Sequence, residues 1–209
     1  ITLENVKNIT YGDYLEVSAN LVNGTTGSYK LNNITGNINN IDLNNLNAGN
    51  YTLIVFNDGD ENHNPSNATY NFTVAKKTLT LTIEDISDVI YNNTVLINYN
   101  LENNIKVSIF KNNELIANKT VNNNFVEFDS LNSGDYNVLV EYLGDENHNY
   151  ISGNSTFKVL KAESKISLDN VQNITYGDYL EVNVELVNGT SGSYKLNNIT
   201  GDINNIDLN

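Results

Sequence analysis

Apolar side chains recur at every second position over most of this chain, in short runs that turn residues separate. The two clearest runs occupy residues 51–55 and 136–142, where Tyr, Leu and Val alternate with residues of the opposite face. An apolar residue at every second position predicts a β-strand with one buried face. Similar alternation fills most of the remaining sequence, and the chain therefore predicts an all-β fold.

A shared motif precedes both runs. Leu-x-x-Gly-x-Tyr spans residues 46–51 and again 131–136, a separation of 85 residues. The glycine of each copy supplies the backbone freedom that a turn needs. The motif resembles the tyrosine corner that opens a central strand of immunoglobulin-like sandwiches. Finding it twice predicts two separate cores, anchored at Tyr51 and Tyr136.

The strand pattern around each corner defines the predicted domains. About seven short strands with frequent turns in roughly 80 residues is typical of a β-sandwich. Residues 1–76 fit this plan, and residues 77–161 repeat it. We therefore expect tandem immunoglobulin-like (Ig-like) β-sandwich domains, arranged like beads on a string.

Residues 162–209 begin a third repeat that is a near-copy of the first half of the first domain. Residues 1–44 and 166–209 align without a gap, and 36 of the 44 positions are identical. The full repeat is thus a two-domain cassette of 165 residues, and we expect a much longer parent protein. Half a sandwich leaves strand edges unpaired. We expect this segment to be disordered, to be an artefact of where the fragment was cut, or to be completed by another chain.

Composition narrows the classes of function. The 209 residues include no Cys, which excludes disulfides, thiol catalysis and Cys-ligated metal sites. The formal net charge of −14 repels the phosphates of nucleic acids and anionic lipids. No apolar run approaches the roughly 18 residues of a membrane span. We therefore expect no nucleic-acid partner, and no membrane span in this fragment.

Asparagine dominates the candidate chemistry. Twelve asparagines stand in the sequon Asn-x-Ser/Thr, which is the acceptor for N-linked glycans in secreted proteins. A chain rich in Asn, Thr and Ser also forms sequons by chance, and both interpretations stay open. The candidate glycosylation sites are Asn8, Asn23, Asn33, Asn50, Asn67, Asn71, Asn92, Asn118, Asn154, Asn173, Asn188 and Asn198.

An acidic turn follows each central strand. Its carboxylates are those of Asp58, Asp60 and Glu61 in the first domain and of Asp145 and Glu146 in the second. Oxygen-rich turns can hold Ca²⁺, but the spacing departs from an EF-hand loop and favours a solvated hairpin cap. The same turns contain His63 and His148, which we predict to be exposed turn residues because no metal cluster forms within one domain. We predict no bound metal and no cofactor.

Crosslinking and catalysis are the remaining candidate chemistries. A Lys–Asn isopeptide bond needs a buried Lys beside an Asn and a carboxylate, and nothing in the sequence buries Lys76, Lys77 or Lys161. The domains do not repeat a Ser/His/Asp constellation, a Gly-rich phosphate loop or a pair of carboxylates on a predicted cleft. We therefore predict that the chain is not an enzyme and has no catalytic residues.

Three motifs together resemble the bacterial Ig-like repeats of group 3, which occur in long adhesin-like surface proteins of bacteria and methanogenic archaea. They are Tyr11-Gly12-Asp13, the corner Ala48-Gly49-Asn50-Tyr51, and Tyr142-Leu143-Gly144-Asp145-Glu146-Asn147 with its closing strand. The resemblance covers both complete domains and the partial one. It implies stalk or spacer modules of an extracellular, cell-surface adhesin or fibre, with adjacent repeats of the same chain as partners.

Two rival functions stay open. A binding module would use loops at one end of a domain to recognise a glycan or protein on a host or neighbouring cell. A self-assembling extracellular filament would use the open half-domain to dock with another copy. Near-identical copies of the first domain favour a spacer, and they also fit multivalent binding.

Overall fold

The chain is all-β, as predicted. The computed structural model describes residues 1–21, 26–169, 171–178, 180, 182–189 and 191–203. The first sandwich comprises β1 (Thr2–Glu4), β2 (Ile9–Thr10), β3 (Ser18–Asn20), β4 (Ser28–Leu31), β5 (Ile34–Asn37), a 3₁₀ helix (Ile38–Asn40), β6 (Gly49–Asn57) and β7 (Ser66–Ala75).

The second sandwich and the third repeat follow in the same order along the chain. The second sandwich comprises β8 (Val89–Ile90), β9 (Val95–Asn98), β10 (Ile105–Lys111), β11 (Glu114–Val121), β12 (Phe125–Phe128), β13 (Gly134–Tyr142) and β14 (Ile151–Leu160). The third repeat comprises β15 (Lys165–Leu168), β16 (Val184–Val187), β17 (Ser193–Leu196) and β18 (Ile199–Asp202). Seven strands in each sandwich match the predicted number.

The chain divides into two compact units. One combines Ile1–Ile86, Leu96–Glu127 and Tyr136–Thr156. The other combines Ser87–Val95, Phe128–Asp135 and Phe157–Asn209. The first unit contains the first sandwich and much of the second, and the second unit contains the third repeat. The predicted domain boundaries at 76/77 and 161/162 stay a prediction.

The first sandwich is organised around the pairing of β6 with β7. The two strands form an antiparallel ladder that runs from Gly49 opposite Val74 to Asn57 opposite Ser66. The short strand β2 adds to the other edge of β7 in parallel, while β4 and β5 follow β6 in the order β2-β7-β6-β4-β5. The pair β1-β3 forms the second sheet. The sheet order places β6 at the centre, where the sequence predicts the central strand.

The core of the first sandwich is built from alternate residues of these strands. Leu53 and Val55 of β6 are fully buried, and Phe72 and Val74 of β7 are nearly so. Each such side chain contributes roughly 1.5–3 kcal/mol by leaving water. The buried cluster also includes Leu3, Leu15, Tyr29, Leu31, Ile38 and Leu43.

The first corner has the geometry that the motif predicts. The hydroxyl of Tyr51 donates a hydrogen bond to the carbonyl of Asn47, four residues earlier, at 2.9 Å. The Tyr51 ring stacks on Phe72 with centroids 5.5 Å apart. The bond back to the preceding backbone is the defining contact of a tyrosine corner, and it confirms the interpretation of this motif.

The second sandwich repeats the plan with the sheet order β11-β10-β13-β14-β8 and the pair β12-β9. The predicted inward face of β13 is confirmed, because Tyr136, Val138, Val140 and Tyr142 are all buried. The stretch Lys111-Asn112-Asn113-Glu114 predicts a hairpin turn, and this is confirmed: β10 ends at residue 111, β11 begins at residue 114, and residues 112 and 113 are both at positive φ. Two consecutive residues at positive φ form the primed turn that suits the twist of a hairpin.

Two sequence predictions need correction. Leu15, Val17, Ala19 and Leu21 alternate with polar residues, which predicts one strand over residues 15–21. Their burial alternates as predicted, but only Ser18–Asn20 is a strand. The dipeptide Asn23-Gly24 predicts a hairpin-type turn, and it lies outside the described residues.

The alternation of Leu79, Leu81 and Ile83 predicts an opening strand of the second domain. These residues form no strand, and Ile83 makes only an isolated bridge to Tyr99. Main-chain pairing is confined to this bridge, with bonds from the Glu84 N–H to the Asn98 carbonyl and from the Asn100 N–H to the Thr82 carbonyl. Beyond it, the Asn100 side chain accepts from the Thr82 N–H and donates to the Thr80 carbonyl.

The third repeat forms counterparts of β1 and β3–β5 of the first sandwich but not the same core. Leu3 is 8% exposed whereas its equivalent Leu168 is 64% exposed, and Leu31 is 1% exposed whereas Leu196 is 45% exposed. An apolar groove of about 380 Å³ opens along these strands, lined by residues that include Ile166, Val182 and Val184. The described part of the repeat has no counterparts of β6 and β7, and its inward faces are therefore incompletely covered.

Hydrogen exchange tests this difference within one sample. The peptide Ser-Tyr-Lys-Leu occurs in both β4 and β17, so the intrinsic exchange rates are nearly identical. We expect the amides of β4 to be protected and those of β17 to exchange faster by a factor of about ten or more, because local opening tracks buried contacts. Equal protection in mass-spectrometric exchange would show that the third repeat is covered by some other chain.

One buried tyrosine lacks a hydrogen-bond partner. Tyr99 is 3% exposed, and its hydroxyl contacts no donor or acceptor among the described residues. Burial raises the pKa of this phenol to about 12. The hydroxyl therefore sits in a site that suits an apolar ring.

Tyr99→Phe should stabilise the protein. A buried hydroxyl without a partner costs about 1–3 kcal/mol, so we expect the free energy of unfolding to rise by about 1 kcal/mol in urea denaturation. Tyr142→Phe is the matched control, and it should lower stability because the Tyr142 hydroxyl donates to Asp145 at 2.7 Å. A loss of stability in Tyr99→Phe would show that the hydroxyl is bonded, for example to a buried water.

Candidate functional site

The hexapeptide Gly-Asp-Glu-Asn-His-Asn occurs at residues 59–64 and again at 144–149. Both copies form a tight turn directly after the central strand. Gly59 and Gly144 start the turns with φ values of +77° and +78°, a region that L side chains rarely adopt. A Cβ at Gly144 would approach the His148 carbonyl to 3.0 Å. Glycine is therefore required at this position of each turn.

The second turn is held by the carboxylate of Asp145. One oxygen accepts from the N–H groups of Asn147 and His148, at 2.7 Å each. The His148 ring nitrogen Nδ1 lies 2.9 Å from the same carboxylate, and the Tyr142 hydroxyl donates to its other oxygen. This side chain thus organises the turn from within.

These hydrogen bonds shift two pKa values in opposite directions. Contacts with His148 and Tyr142 hold the pKa of Asp145 well below its usual range. Burial, together with the bond to Asp145, raises the pKa of Tyr142 to about 12. The carboxylate stays ionised and the phenol stays neutral across the physiological range, and the turn keeps its shape.

The turn at 144–149 forms a joint with the far end of the first sandwich, and both sides belong to the first compact unit. Asn147 accepts from the Ala48 N–H at 2.8 Å and donates to the Asn47 side chain at 3.1 Å. Glu146 accepts from Asn47 at 3.2 Å. The receiving surface is the turn of the first tyrosine corner.

The linker after β7 completes this joint. The Lys77 N–H donates to the Asn147 carbonyl and the Lys77 carbonyl accepts from the Asn149 N–H, both at 2.9 Å. The ammonium of Lys76 donates to the Asp145 carbonyl at 2.6 Å. The turn therefore binds both the corner and the chain that leaves the first sandwich.

His148 is not the exposed turn residue that the sequence predicts. Its side chain is 22% exposed, whereas His63 in the first turn is 48% exposed. The His148 ring lies edge-on to Tyr11, with centroids 5.3 Å apart, and to Tyr142 at 6.4 Å. Packing in the joint covers His148, and the prediction holds only for His63.

The first turn has the same internal geometry. Asp60 accepts from the Asn62 N–H at 2.7 Å, and His63 Nδ1 lies 2.8 Å from its carboxylate. The hydrogen bond from Asn62, and then that from His63, lowers the pKa of Asp60. The side chains of residues 60–64 are exposed. Internal hydrogen bonds therefore fix the shape of this turn, while its side chains remain exposed.

The hydrogen bonds of the second acidic turn favour the hairpin-cap interpretation over calcium. The Asp145 oxygens already accept four hydrogen bonds, which occupy the lone pairs that a cation would need. Within the described ranges, no three His, Asp or Glu side chains come together in a way that would hold a metal ion.

The predicted glycosylation sites lie at the surface. All the sequon asparagines that the structure describes are exposed, from Asn8 to Asn198. Asn23 lies outside the described residues. Exposure is what a glycan acceptor requires, and modification itself stays a prediction.

Two sequons interlock on the outer face of the first sandwich. Asn50 lies opposite Thr73 and Thr52 opposite Asn71. The Thr73 hydroxyl donates to Asn50 at 3.0 Å, and the Thr52 hydroxyl donates to Asn71 at 2.9 Å. The threonine of each sequon thus binds the asparagine of the other. These pairs stabilise the outer face as cross-strand contacts, whether or not a glycan is attached.

A shallow groove of about 620 Å³ lies on the outer face of the second sandwich. It is lined by Asn113, Asn137, Asn154 and Thr156 together with Phe110. Its lining offers amide and hydroxyl groups beside an aromatic ring, but no carboxylate or imidazole for acid–base chemistry. The groove is thus suited to binding polar ligands.

The three lysines considered for crosslinking, Lys76, Lys77 and Lys161, are all exposed. The Lys76 ammonium lies against a main-chain carbonyl. An isopeptide bond forms between buried partners, and this setting does not provide them. The described residues contain no helix long and apolar enough to cross a membrane.

Sequence reasoning missed the joint itself. Asn47, Asn147 and Tyr11 appear in the sequence only as turn or motif residues. The available signal was the hexapeptide, which is identical in both copies although its flanks differ. Between residues 51–58 and 136–143 only 2 of 8 positions agree.

No protein-family model matches the sequence, and no curated protein does. Among solved structures, the fibronectin(III)-like modules of Clostridium thermocellum CbhA align with a TM-score of 0.30 at 12% identity, over 77% of this chain and 94% of that one. The N-terminal four Ig domains of Dscam1 isoform 9.44 give a TM-score of 0.34 at 14% identity, over 75% of this chain and 42% of that one. The fold assignment rests on the strand order, the tyrosine corner and the two-sheet core.

Asp145→Asn should destabilise the protein more than Asp60→Asn. Each substitution disturbs its own copy of the turn, but only the turn of Asp145 takes part in the joint. Because the folded state depresses the pKa of Asp145, its stabilising contribution is complete above the unfolded value near 3.9 and is lost as pH falls toward the folded value. Thermal melts of the wild type and Asp145→Asn should therefore differ at pH 7 and converge in acid. A constant difference across pH would show that charge is not what holds the turn.

Proposed function

We propose that this chain is a spacer segment of the stalk of a long extracellular, adhesin-like or fibre-forming surface protein. The observation that supports this is the joint at residues 144–149. A turn of the second sandwich binds the corner of the first and the linker between them through direct hydrogen bonds. A spacer has to hold neighbouring modules in a fixed relation, and this contact provides that.

The surface chemistry supports an extracellular setting. The net charge of −14 keeps such a chain solvated and opposes self-association. The exposed sequons offer acceptors for N-linked glycans, whose presence can be measured as added mass on native material. The motifs that resemble group 3 Ig-like repeats of bacterial and archaeal surface proteins agree with this proposal.

Glycan binding is the second candidate function, and the groove around Asn137 and Phe110 favours it. Amide side chains beside an aromatic ring suit a sugar, which offers hydroxyl groups and an apolar face. Repeated copies along a stalk would then bind multivalently.

The spacer function predicts that the first sandwich and the region of the second turn tumble together. Backbone ¹⁵N relaxation should give one rotational correlation time for residues of β6 and of β10. The double variant Asn47→Ala/Asn147→Ala should separate the two values, because it removes the side chains that join the corner to the turn.

Asn62→Ala is the matched control, since it alters the equivalent residue of the exposed first turn, and it should leave relaxation unchanged. Independent tumbling in the wild type would contradict a rigid spacer. Screening the wild-type chain on a glycan array separates the second function, since a specific hit that is lost in Asn137→Ala would favour a binding module.

A further inference from the structure

The groove of the third repeat is lined by counterparts of the residues that form the core of the first sandwich. Residues 1–44 and 166–209 align without a gap and are identical at 36 of 44 positions. The groove has a volume of about 380 Å³ and is mainly apolar. Four of its lining residues correspond to buried core residues: Leu168 to Leu3, Leu180 to Leu15, Leu196 to Leu31 and Ile203 to Ile38.

In the first sandwich this half of the core is covered by the hairpin of β6 and β7. Apolar side chains of both strands are buried in one cluster with Leu3 and Leu31. The hairpin also supplies main-chain partners, because Leu53 of β6 lies opposite Leu31 and Val74 of β7 lies opposite Ile9 of β2. One hairpin therefore fills the core and extends the sheet on both of its sides.

The receiving surface keeps its shape in the third repeat. The pairing of β17 with β18 has the register of β4 with β5, and the pairing of β15 with β16 has the register of β1 with β3. The Ile203 N–H donates to the Gly192 carbonyl at 3.0 Å, as the Ile38 N–H does to the Gly27 carbonyl. Because the surface is preformed, it loses little ordering entropy when a partner docks.

The third repeat differs from the first sandwich where β7 makes its contacts. The strand β2 (Ile9–Thr10) pairs with β7. Its counterpart at residues 174–175 forms no strand, and Ile174 is 49% exposed. Tyr176 is fully exposed, whereas its counterpart Tyr11 donates its N–H to the Ala75 carbonyl at the end of β7. These differences are the ones that the lack of a covering hairpin would produce.

One contact distinguishes the two types of hairpin in this chain. The Leu3 N–H donates to the hydroxyl of Tyr70 in β7 at 3.3 Å, and Leu168 is the counterpart of Leu3. The second sandwich has Ser155 at the position of Tyr70. A serine side chain is too short to bridge the distance that the tyrosine ring spans. The groove of the third repeat is therefore matched to a hairpin of the first-domain type.

We propose that the third repeat binds an amphipathic β-hairpin of the first-domain type that another polypeptide supplies. The hairpin has the pattern of residues 45–76: a Gly-x-Tyr corner, two antiparallel strands with an apolar residue at every second position, and a tyrosine at the position of Tyr70. Its first strand lies beside β17 as β6 lies beside β4, and its second strand lies beside residues 174–175. The proposal rests on the third repeat alone and does not depend on the spacer function.

The occupant is argued from the first sandwich, where a hairpin of this sequence already covers the same surface. Strand addition of this kind combines main-chain hydrogen bonds with pockets for alternate side chains. The hairpin of a second, intact copy of the chain is not the occupant. It is buried in its own sandwich, and its transfer would open one core in order to close another.

Hydrogen exchange with an added peptide tests the proposal. The full-length chain is titrated with a synthetic peptide of residues 45–76. Mass spectrometry distinguishes fragments that span β4 from those that span β17, because residue 37 is Asn and its counterpart 202 is Asp. We expect the exchange of β17 to slow by about tenfold or more at saturating peptide, because covered amides open less often. The exchange of β4 should not change.

Peptide variants supply the controls, because they leave the chain itself intact. Phe72→Asp in the peptide should abolish the effect, since it places a carboxylate in an apolar core. Thr69→Asp should retain the effect, because Thr69 is exposed on the opposite face of β7. Tyr70→Phe should weaken binding by a few-fold, as expected for the loss of one hydrogen bond. A peptide of residues 130–161, from the second domain, should bind more weakly than the peptide of residues 45–76.

Three results would overturn the proposal. They are unchanged exchange of β17 with the peptide of residues 45–76, equal binding of the peptide of residues 130–161, and an effect that persists with Phe72→Asp. Protection of β17 that rises with the concentration of the chain alone would overturn it too, because a second copy would then be the occupant. None of these results concerns the joint at residues 144–149, and the spacer function would stand in each case.

Discussion

The pairing of β6 with β7 is the constraint on which the rest of the first sandwich depends. The chain contains its own comparison, because the third repeat has the sequences and strands of β1 and β3–β5 but no described counterpart of this ladder. The peptide Ser-Tyr-Lys-Leu is a buried strand in β4 and a partly solvated one in β17, where Leu196 is 45% exposed against 1% for Leu31. Local propensity and hairpin chemistry thus suffice to form the strands, and burial requires the central ladder that spans the sheet. The corner bond from Tyr51 to Asn47 sets where that ladder begins.

Most of this fold could be predicted because the chain alternates apolar and polar residues with few exceptions. Tyr136, Val138, Val140 and Tyr142 are buried as their spacing indicates, and the Gly-x-Tyr motif located both central strands. The failures have separate physical causes. At the start of the second domain, main-chain pairing is limited to the bridge between Ile83 and Tyr99, and beyond it the Asn100 side chain bonds Thr80 and Thr82. The partial burial of His148 could not be predicted from the sequence, because it depends on contact with Tyr11, more than a hundred residues away along the chain.

Asparagine forms most of the tight backbone connections in this chain. Of the eleven non-glycine residues at positive φ in the described ranges, ten are Asn and the other is Ser130. Asn tolerates this region because its short amide bonds to the nearby backbone. Asn112 and Asn113 make the β10–β11 hairpin in this way. Asn therefore allows the chain to form many tight turns without glycine. Some of the sequon asparagines are present because a turn needs a residue that tolerates positive φ.

The joint shows why a polar turn suits a repeated module. An apolar interface would leave each sandwich with an exposed, aggregation-prone apolar patch whenever its neighbour was absent. The turn at 144–149 instead satisfies its own donors and acceptors through Asp145, so its shape exists before docking and little ordering entropy is lost on contact. Docking then adds only a few hydrogen bonds and one ring contact, which suffices because the linker already holds the partners close. The exposed turn at 59–64 has the same property. Asp60 fixes its shape through internal hydrogen bonds, while the polar side chains of Asn62 and His63 remain hydrated at the surface.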